Sequence, residues 1–416
     1  MSTSAARRLK LACYASNVGG AVTCNLSPIL FLTFRDLYGI SYSLLGLLVL
    51  INFFTQLIVD LIFSFFSHRF PIKLTVKAMP VISLFGLLVY ALSPILFPDN
   101  VYLGLVLGTV IFSAAGGLGE VLLSPVFAEI PADDPDREMS KLHSAYAWGV
   151  VGMIAISTLF ILVLGKECWQ YLILLLALVP LLSFALFVGA KIPDMKTPKR
   201  ASGAFHMLRS PGVWLCFFAI FFGGAAECTM AQWNSGYLEA ALGIPKVLGD
   251  LFGVALFALM LGAGRTLYAR RGKSIHRVLI LGAAGAAACY LIAALSPFPV
   301  VGLLACALTG LCTSMLWPGN LVVASGRYPE GGVFIYALMA AGGDLGASVG
   351  PQLVGLITDV VILSPAAVEL SATLSLSPEQ LGMKLGMLCG MLFPLIGMLV
   401  YLRLKKTEKG PDGDKA

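Results

Sequence analysis

Gly19-Gly20-Ala21-Val22-Thr23-Cys24 and Gly223-Gly224-Ala225-Ala226-Glu227-Cys228 are two apolar stretches, each opening on a glycine pair, set 204 residues apart in a chain of 416. The same offset pairs Gly39-Ile40 with Gly243-Ile244. Further along, Gly117-Leu118 and Pro125 match Gly310-Leu311 and Pro318 at an offset of 193, and Gly149 then matches Gly342. Each match alone is slight. Their common order across five apolar segments marks an internal duplication, so the chain reads as two related halves.

Around these matches lie apolar runs of about 20 residues, the length a helix needs to cross about 30 Å of hydrocarbon. They fall near 11–33, 43–66, 74–96, 101–130, 141–164, 170–190, 211–235, 246–269, 277–295, 300–324, 333–362 and 379–403. The expected fold is an all-α membrane protein of twelve transmembrane helices in two pseudo-symmetric six-helix bundles. An N-terminal bundle spans 1–190, a cytoplasmic linker rich in Lys, Arg and Pro spans 191–210, a C-terminal bundle spans 211–403 and a polar cytoplasmic tail spans 404–416. Arg7, Arg8 and Lys10 precede the first apolar run, but that run is too long for the core of a signal peptide and no small-x-small cleavage pattern follows. Of the 28 Lys and Arg, 23 fall on the side of the two termini, 4 on the other side, and Arg265 lies within helix 8. Positive charge stays in the cytoplasm, so both termini are expected there, with the protein multi-pass in the plasma membrane.

Composition narrows the function. Hydrophobic residues make up 58% and charged residues 12%, with a mean hydropathy of +0.89. That is about half the charged share of a soluble domain, so the lipid bilayer is the expected environment. The net charge of +6 is sorted by side of the membrane rather than gathered in a patch, which argues against nucleic acid as a partner. The nine cysteines have no CxxC spacing and no histidine at ligand distance, so neither a metal nor another cofactor is expected. No Gly-x4-Gly-Lys-Ser/Thr run supplies ATP drive, and His-Glu-x-x-His, the mark of one hydrolase class, is missing. A transporter is expected, not an enzyme. Its partners would be a small-molecule substrate and protons.

Two parallel six-helix repeats around a midplane site describe the major facilitator architecture, and the chain resembles that superfamily over essentially its full length. The superfamily's Gly-x-x-x-Asp-Arg-x-Gly-Arg-Lys signature is degenerate in the 2–3 loop, where Ser64, His68, Arg69, Pro71 and Lys73 stand. More of it survives in the 8–9 loop as Ala269, Arg270, Gly272 and Lys273, preceded by Arg265. Neither copy has the Asp. The stretch from Gly116 through Glu120 to Pro125, followed by His143-Ser144-Ala145-Tyr146-Ala147-Trp148-Gly149, is similar to the sugar-porter branch that includes the fucose:proton symporters. That likeness implies proton symport of a sugar or sugar derivative by alternating access, by a monomer. The Gly-Pro motif that drug:proton antiporters carry in helix 5 is missing from Gly149-Val150-Val151-Gly152-Met153. Export of a drug or metabolite by proton antiport is the alternative.

An ionisable side chain in hydrocarbon costs about 2.5–3.5 kcal/mol, so each one needs a reason. Glu120, flanked by Gly116, Gly117 and Gly119, and Glu227 are the candidates for proton coupling. Each has as its bland alternative a hydrogen bond to a neighbouring helix. Asp60, Arg69, Arg265, Arg270 and Asp344 are candidates for gating, with Asp344 expected to pair with Arg265 or another cytoplasmic cation. Amides and aromatic faces suit hydroxylated solutes, which selects Asn25, Asn52, Tyr146, Trp148, Gln232, Trp233, Asn234, Trp317 and Asn320 as substrate-binding candidates. Trp233 equally suits an anchor at the outer membrane surface.

Overall fold

A chain this apolar must satisfy its backbone within its own segments, and helices do that. The computed structural model describes residues 3–66, 69–131, 135–193, 205–272, 274–329 and 332–408, and every regular element among them is helical. Helix 1 is a bent pair, Ser4–Ile29 and Phe31–Tyr38, meeting at 47° just after Pro28. Among the described residues, eleven further helices are long and apolar enough to cross a membrane. They are helix 2 (Tyr42–Phe63), helix 3 (Ile72–Ala91), helix 4 (Val101–Ala128), helix 5 (Ser144–Leu164), helix 6 (Lys166–Val188), helix 7 (Pro211–Ala240), helix 8 (Lys246–Tyr268), helix 9 (Ile275–Leu295), helix 10 (Pro299–Arg327), helix 11 (Phe334–Leu363) and helix 12 (Pro378–Thr407). A short helix, Pro365–Thr373, is added between helices 11 and 12. Most of the linker, 194–204, and the tail beyond residue 408 lie outside the described residues.

Local chemistry explains where the helices stop and start. Gly39 and Gly243, the pair that the 204-residue offset matches, both have φ of +65°. Only glycine enters that left-handed region without steric cost, so the repeated glycine ends helices 1 and 7. The Asn100 side chain accepts from the Leu103 amide at 3.2 Å to start helix 4, and Ser377 with Gln380 forms a capping box on helix 12. Helix 10 is interrupted at Ser314–Trp317, before Pro318, and helix 8 opens as a π-helical turn over Gly249–Ala255.

The chain forms two compact units, 1–40 with 51–201 and 41–50 with 202–416. The second takes in Ser41–Leu50, the start of helix 2, which the sequence places with the N-terminal bundle. Asp359 of helix 11 explains this. Its carboxylate accepts from the Tyr42 amide at 3.1 Å and the Ser43 amide at 2.7 Å, filling two of the donors that a helix start leaves open. The Tyr42 hydroxyl also donates to Glu379 of helix 12.

In the first unit, helices 3 and 4 meet on glycine: a Cβ at Gly86 would lie 2.5 Å from the Phe112 amide nitrogen, and one at Gly108 would lie 2.8 Å from that of Tyr90. One end is closed by aromatic contacts, with Phe34 against Trp169 at 5.0 Å and the Trp169 indole donating to the Tyr38 hydroxyl at 3.0 Å. At the other end Glu138 accepts from Lys10 and Lys141. These hydrogen bonds, Lys10's first, hold its carboxyl down from the ordinary 4.5 to about 2. A value depressed by folding contributes stability that is present above pH 4.5 and is lost as pH falls toward 2. Glu138→Gln is therefore expected to lower the melting temperature in detergent slightly at pH 7. The gap from the wild type should close between pH 4.5 and 2, and a gap unchanged at the acid end would remove Glu138 from the account.

Candidate functional site

Helix 2 carries Asn52, Gln56 and Asp60 at intervals of four, which puts three polar side chains on one helical face. All three are buried. Ser113 of helix 4 and Gln56 both donate to the Asn52 carbonyl, Gln56 at 3.0 Å, and the Gln56 amide also touches the Cys24 sulfur of helix 1. Helix 4 presents glycine to this face. A Cβ at Gly116 would lie 3.3 Å from the Gln56 amide carbon, and one at Gly117 only 2.9 Å from Asp60 Oδ1 and 3.0 Å from the Gln56 carbonyl oxygen. The glycines thus admit a polar helix face that any larger residue would push away.

This approach brings Asp60 beside Glu120. A carboxylate oxygen of each lies within 4.8 Å of the other's. Asp60 is buried, and its Oδ1 has no hydrogen-bond partner among the described residues; Glu120 is exposed although it sits well inside helix 4. Asp60, a gating candidate by sequence, thus forms half of a carboxyl pair. Asn25 donates to the Ala21 carbonyl at 2.9 Å and reaches the Tyr146 hydroxyl at 3.5 Å, tying helix 1 to helix 5. Trp148 is 71% exposed, on the stripe of helix 5 that continues through Ile156, Leu159 and Val163, a face of large apolar side chains.

In the second unit the central feature is an ion pair. Glu227, near the middle of helix 7, meets Arg265 of helix 8, with Nη2 3.5 Å from Oε1. Arg265 Nε also donates to the Ser314 carbonyl at 3.1 Å, in the interruption of helix 10, where an intrahelical partner is lost. Arg265 therefore pairs with Glu227; for Asp344, which is buried in helix 11, the sequence had offered Arg265 or another cytoplasmic cation. Trp317 ends the same interruption, its ring fitted to glycine: a Cβ at Gly343 would lie 2.5 Å from it, and one at Gly224 3.0 Å.

Two other candidates are absorbed into packing. Trp233 is fully buried, donates to the Pro351 carbonyl at 2.7 Å and rests 5.9 Å from the Tyr42 ring, so it is not an anchor at the membrane surface. Asn320 donates to the Ala219 and Leu316 carbonyls and to Tyr401, joining helices 7, 10 and 12. Gln232 and Asn234 are buried, and Gln232 Oε1 and both amide atoms of Asn234 lack hydrogen-bond partners among the described residues. Arg69 is exposed, stacked 5.5 Å over Phe66, and Arg270 is exposed at the end of helix 8. His68 and Lys273 of the degenerate loop signatures lie outside the described residues, as do the side chains of Ser64, Ala269 and His143.

Asp250 escaped the sequence reading. It is fully buried one turn into helix 8, 3.5 Å from Lys246, and accepts from Ser235. The Lys-x-x-x-Asp spacing, which sets opposite charges on one helical face, was the available signal.

The family model of the Major Facilitator Superfamily matches residues 12–351. No curated protein matches the sequence. Among solved structures, a bacterial homologue of the human lysosomal transporter Spinster, inward-facing and unoccupied, superposes with a TM-score of 0.73 at 12% identity over 98% of each chain. A point mutant of the nucleoside transporter NupG gives 0.72 at 11% identity, over 96% of this chain and 99% of the other. A D-xylose-proton symporter gives 0.68 at 17% identity, over 94% and 96%. At these identities the structures speak for the fold alone, while the family model spans most of the sequence. The chain belongs to the Major Facilitator Superfamily and is a multi-pass membrane transporter of the secondary kind, not an enzyme.

Proposed function

We propose that this transporter moves a sugar or sugar derivative together with protons, by alternating access. The observation that carries the proposal is the Asp60–Glu120 pair, two acids within 4.8 Å of each other on membrane-spanning helices. Two negative charges that close oppose each other, and a shared proton relieves the cost. The exposure of Glu120 gives that proton a way in and out, since a carboxylate facing lipid would be too costly. Asn52 and Gln56 continue the same face with amides that both donate and accept, the chemistry a hydroxylated solute needs. That a structure of this fold is of a D-xylose-proton symporter supports the pairing of sugar and proton.

The Lys and Arg distribution supports cytoplasmic termini and residence in the plasma membrane, and a monomer suffices for a carrier built of two halves. Proton antiport of a drug or metabolite is the competing function. The proposal is tested by reconstituting the protein in vesicles and recording internal pH while neutral sugars, uronic acids and cationic drugs are added in turn. Sugar-dependent proton entry is the expected result. Exchange of a cationic drug with no response to any sugar or sugar acid would overturn it in favour of the exporter.

A further inference from the structure

Arg265 is an expensive residue for its place. A cation in a membrane-spanning helix costs about 2.5–3.5 kcal/mol on insertion scales, yet this one is incompletely used. Its contact with Glu227 is a single one at 3.5 Å, whereas a guanidinium that grips a carboxylate does so through two bonds of about 2.7–2.9 Å. Glu227 Oε2 is left buried without a hydrogen-bond partner among the described residues. Among the described residues the guanidinium makes this contact and the one to the Ser314 carbonyl, which leaves Nη1 open. The Arg265 side chain is 46% exposed and that of Glu227 only 13%, so the open edge faces outward from the pair.

The neighbours of that edge on helix 8 are small. Ala258, Gly262 and Arg265 share one side of helix 8, and a Cβ at Gly262 would meet nothing within 4 Å. The large apolar residues Phe252, Leu259 and Leu267 are exposed on other sides. Helix 10 is broken beside this space, at Ser314–Trp317, and a broken helix is tolerated at membrane depth where it borders protein or a water-filled cavity. Trp317, only partly buried at that break, supplies an aromatic face.

We infer that Arg265 binds a carboxylate on the transported solute, so that the preferred substrates are hydroxylated acids of the uronate type rather than neutral sugars. The inference rests on the proposed sugar-derivative and proton coupling, and it narrows that proposal to an anionic class. A planar carboxylate matches the guanidinium fork, which a lysine cannot imitate. Charge also balances: a monoanion that enters with one proton adds no net charge to the loaded carrier, which is what passage through hydrocarbon favours.

The test is counterflow in vesicles with radiolabelled galacturonate and galactose, for the wild type, Arg265→Lys and Arg265→Gln, each checked for a monodisperse peak in detergent. The wild type should favour galacturonate over galactose by about tenfold to a hundredfold, the range for hydrogen bonds to a charged group. Arg265→Gln should erase that ratio, and Arg265→Lys should retain part of it. A wild type that carries galactose as well as galacturonate, or a ratio unmoved in Arg265→Gln, overturns the inference while leaving sugar transport standing. Should both Arg265 variants fail to fold, the wild-type ratio still decides. A wild type that carries neither compound overturns both the inference and the proposed function.

Discussion

Glu120→Gln is expected to abolish solute-driven proton entry into vesicles while solute exchange at equal concentrations continues. Glutamine keeps the size and hydrogen-bonding capacity of the side chain and removes the ability to carry a proton. Exchange needs the loaded carrier to reorient, whereas net symport also needs the proton site to empty and refill. The wild-type pair places a buried Asp60, with Oδ1 unpartnered, beside an exposed Glu120. Under the proposed coupling either acid is needed for the proton to be shared, so Asp60→Asn should lose coupling as well. Asp60 also abuts Gly117 of helix 4, so its replacement should slow exchange more than Glu120→Gln does. Internal pH and isotope exchange, measured on the same vesicles, separate the two steps. Proton entry at the wild-type rate in both variants would dismiss the pair as the coupling site.

The sequence made some of this site visible and left other parts hidden. Apolar length gives the helices directly, because the thickness of hydrocarbon sets it. Gly39 and Gly243 were matched by offset alone, and their common φ of +65° supplies the reason. The glycines around Glu120 were legible as a place of close approach, and Gly116 and Gly117 do meet helix 2. What they meet was not legible, since Asp60 lies 60 residues away and no local period links the two. The same holds for Glu227 and Arg265, which are 38 residues apart. Aromatics were the least readable. Trp148 and Trp233 sit in similar apolar sequence, yet one is 71% exposed and the other 0%. Helical period groups residues on a face without saying whether lipid or another helix lies opposite. For Trp148 the recurrence of Ile156, Leu159 and Val163 on its side was the available clue.

The duplication itself yields the second large effect, because matched residues have come to do different work. Gly20 and Gly224 occupy equivalent places in the two halves, 204 residues apart. A Cβ at Gly20 would meet nothing within 4 Å, whereas one at Gly224 would stand 2.6 Å from the Gly343 carbonyl oxygen and 3.0 Å from the Trp317 ring. Backbone on one side and a large ring on the other leave helices 7 and 11 no way to relax except by separating. Gly224→Ala is thus expected to cost about 1–3 kcal/mol, the usual penalty for overfilling a packed interface. Gly20→Ala should be neutral or stabilise by up to about 1 kcal/mol, since alanine is the better helix former. Thermal unfolding of the two variants in one detergent makes the comparison, with the wild type as reference. The Trp317 contact adds a functional readout: displacing the ring at the helix 10 break should weaken solute exchange in Gly224→Ala beyond what its loss of folded protein explains. Equal melting temperatures for the two variants would mean that helices 7 and 11 do not depend on glycine for their approach, and that Trp317 is not held where it is by the lack of a side chain at position 224.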